Sequence, residues 1–242
     1  MLAALATLAA LATTATLPLQ GMTVVVDPGH NGANWSHPRA INRLVSAGTF
    51  QKACDTTGTA TDAGYSEAAY TFDLATRLAV DLRRLGARVV MTRTTNTGVG
   101  PCIDERAAIG NRAHASAAIS LHADGGPASG RGFHVIYAPA IPHLTAPNAA
   151  ASARLARIVR DDFRAGTGEP FATYVGSNGL NVRSDLGGLN LSRVPKVLIE
   201  TGNMRNATDA RLLSSPMFRA RQARALAEGL KNFLLTNVHK SK

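Results

Sequence analysis

The sequence predicts an α/β fold, in which a single domain contains a largely parallel, twisted sheet with helices on both faces. Short apolar runs rich in β-branched residues alternate along the chain with longer segments of helical periodicity, and this alternation requires crossover connections between parallel strands. The run MTVVVD at 22–27 is a continuous stretch rich in β-branched residues, as expected of a strand buried on both faces. With 242 residues, of which 45% are hydrophobic, the chain is long enough to form one sizeable core.

The first strand is predicted to end at the Pro28-Gly29 turn. A helix follows from Ser66, a good N-cap residue, to Leu85, because leucines recur at helical spacing up to a glycine that ends the helix. The same criteria predict later strands at 87–93 (ARVVMTR), 117–122 (AAISLH), 133–139 (FHVIYAP) and 196–200 (KVLIE), and helices at about 104–114, 149–163 and 216–235.

The charge balance predicts an anionic partner. There are 26 Lys and Arg against 16 Asp and Glu, which gives a net charge of +10 and favours nucleic acid, acidic lipid or an acidic wall polymer. Nucleic acid is not expected, because aromatic residues make up only 5% of the chain and no nucleic-acid-binding motif is evident. Charge alone does not choose between the other partners.

Residues 1–20 are predicted to be a signal peptide or an N-terminal apolar segment, and residues 21–242 to be the catalytic domain. The first segment contains no charged side chain and consists largely of Ala, Leu and Thr, which matches the apolar region of a signal peptide. It is too short and too polar for a stable membrane span. An ordinary buried N-terminal helix is the alternative, because no Lys or Arg precedes the apolar run.

Export would also explain the two cysteines, Cys54 and Cys102. In an exported chain a disulfide between them is expected, and it would hold the polar loop at about 31–64 in place. In a cytosolic protein they would instead be two unpaired thiols, so this prediction depends on the signal peptide.

Three polar residues directly follow apolar strands, at the sheet edge where α/β proteins bind ligands. His30 follows the first strand and its turn, His122 ends AAISLH, and Glu200 ends KVLIE. Glu67 opens the long helix after the first strand, so it can face the same edge. Two histidines and a carboxylate match the His₂Glu set of catalytic zinc sites, which leave one coordination position for water. The sequence therefore predicts one Zn²⁺ held by His30, Glu67 and His122, with Glu200 as the general acid/base.

Each of these residues also has an ordinary structural interpretation when taken alone. A histidine at a strand end is often a satisfied polar residue, and Glu67 would be favoured by the helix dipole. Glu200 is harder to explain structurally, because a carboxylate after Val-Leu-Ile is costly to bury without a partner. Asp27 is predicted either to orient His30 from behind or to stabilise the turn.

Four segments in this order resemble the zinc-dependent N-acetylmuramoyl-L-alanine amidases of the amidase-3 family, in particular the short, single-domain mycobacterial type. They are VVVDPGHNG at 24–32, Glu67 at the helix start, SLHADGG at 120–126 and VLIETGNMRN at 197–206. The resemblance implies hydrolysis of the amide between the lactyl group of muramic acid and the L-alanine of the stem peptide in peptidoglycan. It also implies the same ligands and acid/base, and a disulfide between Cys54 and Cys102.

Two alternative functions stay open at this point. One is a zinc peptidase that cuts elsewhere in the stem peptide, and the other is a non-catalytic module that binds anionic wall polymer. We expect a monomer that acts after export, in the periplasm, the cell wall or the extracellular space. No wall-binding repeat is recognisable in the sequence, so attachment to anionic wall polymers is expected to depend on the basic surface.

Overall fold

The apolar runs form strands and the helix-period segments form helices in the computed structural model, which describes residues 16–238. The strands are β1 (Thr23–Pro28), β2 (Leu44–Ser46), β3 (Gln51–Ala53), β4 (Arg88–Met91), β5 (Ala117–Asp124), β6 (His134–Tyr137), β7 (Leu180–Val182) and β8 (Lys196–Asn203). The helices are α1 (Pro38–Ile41), α2 (Glu67–Arg84), α3 (Ile103–Arg112), α4 (Ala149–Thr167), α5 (Gly187–Asn190), α6 (Ala207–Ser214) and α7 (Pro216–Val238), with a 3₁₀ turn at Asn34–Ser36.

Six of the strands form one mixed sheet in the order β4-β1-β5-β8-β6-β7. The pairs β1–β4, β1–β5 and β5–β8 are parallel, whereas β6 runs antiparallel to β8. The prediction of a largely parallel sheet is therefore confirmed. The remaining strands, β2 and β3, form a separate antiparallel pair.

Helices cover both faces of the sheet, as predicted. Side chains alternate between the faces along β1, so Val24 and Val26 enter the larger core, which also contains the buried leucine stripe of α2: Leu74, Leu78 and Leu82. Helices α4 and α7 complete this layer. Val25 points to the opposite face and packs there with Ala118, and Leu189 of α5 packs against Ile136 on the same face.

The parallel arrangement brings three strand ends together in the middle of the sheet. β5 lies between β1 and β8, and its His122 is in register with Glu200 of β8. The N–H of Gly29 donates to the carbonyl of Leu121 at 2.9 Å, so the chain leaves β1 directly beside the end of β5. His30, His122 and Glu200 consequently lie at one edge of the sheet.

A disulfide joins Cys54 to Cys102, with a Cα–Cα distance of 4.5 Å, which confirms the predicted pairing. Cys54 directly follows β3 within the 31–64 segment, which forms α1 and the β2–β3 hairpin. Both sulfur atoms are buried beside Val45. The disulfide therefore anchors a segment that contributes few apolar side chains to the main core.

We expect the double variant Cys54→Ser, Cys102→Ser to lose about 2–4 kcal/mol of the free energy of unfolding, because the cross-link restricts the unfolded chain. The two cysteines are separated by 48 positions, so the loop that the disulfide closes is long. Urea unfolding followed by circular dichroism measures the change. The parent protein unfolded with reductant should match the variant, and equal midpoints for the variant and the oxidised parent would contradict the prediction.

The signal-peptide prediction falls mostly outside the described residues, since residues 1–15 are not among them. Leu19, near the end of the predicted segment, is fully buried in the main core. Its N–H donates to the carbonyl of Leu85 at 2.8 Å. The stretch Ala10-Leu11-Ala12 has the small-x-small pattern of a signal-peptide cleavage site, and cleavage there would keep Leu19 in the mature chain. The domain boundaries stay a prediction. Within residues 16–238, no helix combines the length and apolarity needed to cross a membrane.

Candidate metal centre and active site

His30 stands at the first bend after β1, where the backbone is forced into a tight turn. It adopts a positive φ of 57°, which brings its ring close to that of His122, with 4.9 Å between the centroids. The preceding residue must be glycine, because a Cβ on Gly29 would lie 2.2 Å from Cε1 of His122. The Pro-Gly turn of the sequence therefore serves close packing of the two imidazoles.

Glu67 is the first residue of α2, and its carboxylate lies between the two imidazoles. Its Oε2 is 3.2 Å from Nε2 of His30, and its Oε1 is 2.8 Å from Nδ1 of His122. Backbone N–H groups of Thr59 and Ala123 donate to the same carboxylate at 3.0 and 3.2 Å. Ser66 caps the helix by accepting a hydrogen bond from the N–H of Ala69. The helix start thus fixes both the backbone and the side chain of Glu67.

His30, Glu67 and His122 could hold a metal ion, since one ligand atom from each lies within 4.8 Å of the others. Zinc ligands at about 2.0–2.1 Å in a tetrahedral site lie roughly 3.3 Å from one another, which is close to the separations around Glu67. Burial alone would raise the pKa of Glu67, but the two histidines hold it well below its usual range. Burial alone would lower the pKa of His30, yet Glu67 and Asp55 raise it to about 10. The cluster therefore favours positive charge, and its donor set fits zinc.

Glu200 lines the same cleft as these three residues and is not one of the clustered ligands. Among the described residues, its buried Oε2 has no hydrogen-bond partner. Burial raises the pKa of Glu200 well above its usual range, and the negative charges of Glu67 and Asp124 add to the shift. A carboxyl group with an unsatisfied oxygen beside a metal site is placed to exchange a proton with a bound molecule.

Asp27 does not perform the orienting role that the sequence left open for it. Its Oδ1 accepts hydrogen bonds from Arg106 at 2.7 Å and Thr92 at 2.6 Å, and its Oδ2 accepts from Ser120 at 2.6 Å and Lys196 at 3.2 Å. Burial would raise the pKa of Asp27, but these cations and hydroxyls hold it far below its usual range. Asp27 therefore neutralises the buried cations Arg106 and Lys196 beneath the site. The carboxylate that contacts Nδ1 of His30 is that of Asp55.

Comparison with known proteins identifies the family. The amidase-3 profile, described as N-acetylmuramoyl-L-alanine amidase, matches residues 24–232. This chain belongs to the amidase-3 family. The matched segment contains His30, Glu67, His122 and Glu200, so the resemblance seen in the sequence is confirmed across nearly the whole described chain.

Individual amidase-3 relatives agree with this assignment. The chain is 46% identical over 219 residues to the N-acetylmuramoyl-L-alanine amidase Rv3717 of Mycobacterium tuberculosis, covering 90% of this chain and 88% of that protein. It is similar to the crystal structure of Ami1 from Mycobacterium smegmatis, with a TM-score of 0.85, 46% identity and coverage of 90% and 99%. For Ami1 from Mycobacterium abscessus the TM-score is 0.83, with 45% identity and coverage of 89% and 99%.

Asp55 and Arg106 both contact His30, and the sequence did not reveal this support. Nδ1 of His30 lies 3.0 Å from Oδ1 of Asp55 and 3.1 Å from the carbonyl of Thr56, which leaves Nε2 facing Glu67. Oδ2 of Asp55 accepts from Asn31 at 2.8 Å and from Arg106 at 3.4 Å. Arg106 also donates to the backbone carbonyl of His30 at 2.9 Å. The one available signal was that Asp55 directly follows Cys54, so the disulfide holds it near the site.

Replacing Asp55 with asparagine should weaken metal binding about 10–100-fold, the usual cost of losing an outer carboxylate behind a histidine ligand. The amide can accept one hydrogen bond from His30 but removes the charge that supports the ring. Competition with a chromogenic zinc chelator measures the dissociation constant. Asp62→Asn is the matched control, because Asp62 is 79% exposed. Equal zinc affinity for Asp55→Asn and the control would show that Asp55 does not support the metal centre.

Proposed function

We propose that this protein is a zinc-dependent N-acetylmuramoyl-L-alanine amidase, which hydrolyses the bond between the lactyl group of muramic acid and the L-alanine of the stem peptide. The carrying observation is the grouping of His30, Glu67 and His122 within 4.8 Å, in one cleft with Glu200. Membership of the amidase-3 family and the similarity to Rv3717 support the choice of substrate.

In this proposal the two imidazoles and the carboxylate of Glu67 would hold a zinc ion. When bound, zinc would polarise the scissile carbonyl and lower the pKa of the attacking water. Glu200 would accept a proton from the attacking water and later donate it to the leaving amine of alanine. Its unpaired Oε2 is free to make the hydrogen bond that such a transfer requires. The N–H donors of Thr59 and Ala123 keep Glu67 in place throughout.

Mass spectrometry of digested peptidoglycan tests the proposed reaction. We expect release of intact stem peptides with a free N-terminal L-alanine, and release about 10²–10⁴-fold slower by a Glu200→Gln variant. Shortened stems that remain attached to muramic acid would instead identify a zinc peptidase. Undigested sacculi that retain bound protein would identify a non-catalytic module for wall polymer.

We further propose that the protein acts outside the cytoplasm, as a monomer, after removal of a segment within residues 1–20. The Cys54–Cys102 disulfide supports this location, because such bonds persist in oxidising compartments. The net charge of +10 would favour anionic wall polymers. If that attraction holds the protein at the wall, sacculus binding should weaken as salt rises to molar levels. Binding that does not change with salt would exclude the electrostatic role.

A further inference from the structure

Trp35 is the only tryptophan of the chain and is 77% exposed. A single exposed apolar side chain is common on protein surfaces and has no meaning by itself. Trp35, however, lines a groove of about 370 Å³, a volume within the usual range for small-molecule sites.

The groove borders the active-site cleft. Its walls continue the segments that carry the ligands, because Asn31 and Gly32 follow His30, while Ser66 and Ala68 flank Glu67. Gly58 and Thr59 line both this groove and the active-site cleft. A Cβ on Gly58 would lie 2.7 Å from Cδ2 of His30, so Gly58 packs directly against the candidate metal ligand His30. A molecule in the groove would therefore lie next to the active-site cleft, along the segment that contains Gly58 and Thr59.

The backbone at Trp35 is held in a defined place relative to the site. The side-chain amide of Asn34, its neighbour in the 3₁₀ turn, donates to the carbonyl of Thr56 at 2.8 Å. The same carbonyl lies 3.1 Å from Nδ1 of His30. The turn is closed by the N–H of Ser36, which donates to the carbonyl of Ala33 at 3.1 Å. The backbone that presents Trp35 is thus tied to the backbone around a metal ligand, and such preorganisation favours binding.

The side chains that line the groove differ in charge from those that line the active-site cleft. The groove combines an aromatic face with the hydroxyl-bearing residues Thr57, Thr59 and Ser66 and contains no charged side chain among its lining residues. The active-site cleft itself includes Asp124 and Arg183. A pyranose has apolar C–H faces that stack on an aromatic ring and hydroxyls that exchange hydrogen bonds, whereas a stem peptide carries charges. The uncharged groove fits the sugar, and the active-site cleft with its charged side chains fits the peptide.

We infer that the Trp35 groove is a saccharide subsite, in which the indole stacks on a pyranose ring of the glycan strand next to the amide that is cut. This inference rests on the proposed function, since the scissile bond joins a sugar-borne lactyl group to a peptide. It assigns the Trp35 groove to the sugar and the active-site cleft to the peptide. It also makes Trp35 a residue that selects stem peptides still attached to glycan.

Tryptophan fluorescence tests the subsite without requiring turnover. Because Trp35 is the only tryptophan, all indole emission reports on this position. Glycan strands stripped of their stem peptides should shift the emission to shorter wavelength in a saturable way, whereas free stem peptide should not. An unchanged emission spectrum at saturating glycan would overturn the inference, even if the protein digests peptidoglycan. A shift in a protein that digests nothing would support the subsite and refute the proposed reaction.

Kinetics on two substrates provide a second test of the saccharide subsite. Trp35→Ala should lower kcat/KM on glycan-attached stems about tenfold more than on a lactoyl peptide without sugar, as for loss of an aromatic anchor. Trp35→Phe should recover part of that difference. Met217→Ala is the matched control, because Met217 is 82% exposed and lies in α7. Equal losses on both substrates would indicate a structural role for Trp35 and would contradict the inference.

Discussion

Replacing Glu200 with glutamine is expected to lower kcat by about 10²–10⁴-fold, the range for loss of a general acid/base, while zinc remains bound. Glutamine keeps nearly the same size but cannot take or deliver a proton. The three clustered ligand residues do not include Glu200, so the variant should retain one zinc ion per chain. Turnover of a soluble muropeptide and metal analysis of the same preparation measure the two quantities together.

The matched control for this variant is Glu228→Gln. Glu228 lies on α7 with its side chain 50% exposed, so the same chemical change there should leave both zinc content and turnover at parental values. A Glu200→Gln protein that remained fully active would exclude the acid/base role. A variant that lost zinc together with activity would instead make Glu200 part of the metal site.

Replacing His122 with alanine is expected to abolish both zinc binding and activity. The variant removes one of three ligand atoms, so the loss of zinc affinity should exceed the roughly 10–100-fold expected from losing an outer carboxylate. It also leaves Oε1 of Glu67 without the imidazole that now lies 2.8 Å away. Metal analysis after dialysis, with circular dichroism to check folding, measures this effect.

His37→Ala is a suitable control, because His37 is exposed and is not among the clustered ligands. It should retain zinc and turnover. A His122→Ala protein that is folded, zinc-replete and active would refute the ligand assignment. A folded protein without zinc would support it, since metal loss would then not be a consequence of unfolding.

The main elements of the fold were predictable because they depend on local patterns. The leucine period of α2 and the apolar runs of β1, β5 and β8 each occupy a short stretch of sequence. The strands β2, β3 and β7 were not predicted, since three residues are too few to reveal alternation. Helices α5 and α6 were also missed. Their position follows from packing against the sheet rather than from a strong period of their own.

The candidate site divides in the same way. His30, His122 and Glu200 were predicted from strand ends alone, whereas Glu67 depended more on the family resemblance, because a carboxylate at a helix start is common. Asp55 was missed. Its contact with His30 spans 25 positions of a loop without regular periodicity, and no local pattern indicates which carboxylate such a loop brings to a histidine.

The α/β class, the central strands and the residue types at their ends were predictable from the sequence, because periodicity and strand-end chemistry are local properties of the chain. That Asp55, and not Asp27, supports His30, and that Arg106 joins both carboxylates, became visible only in the folded chain. The fold also places Trp35 in a groove whose wall, at Gly58 and Thr59, is shared with the active-site cleft. The physical reason is that these contacts depend on how the 31–64 segment folds back over the sheet edge, where the disulfide and buried charge pairs hold it.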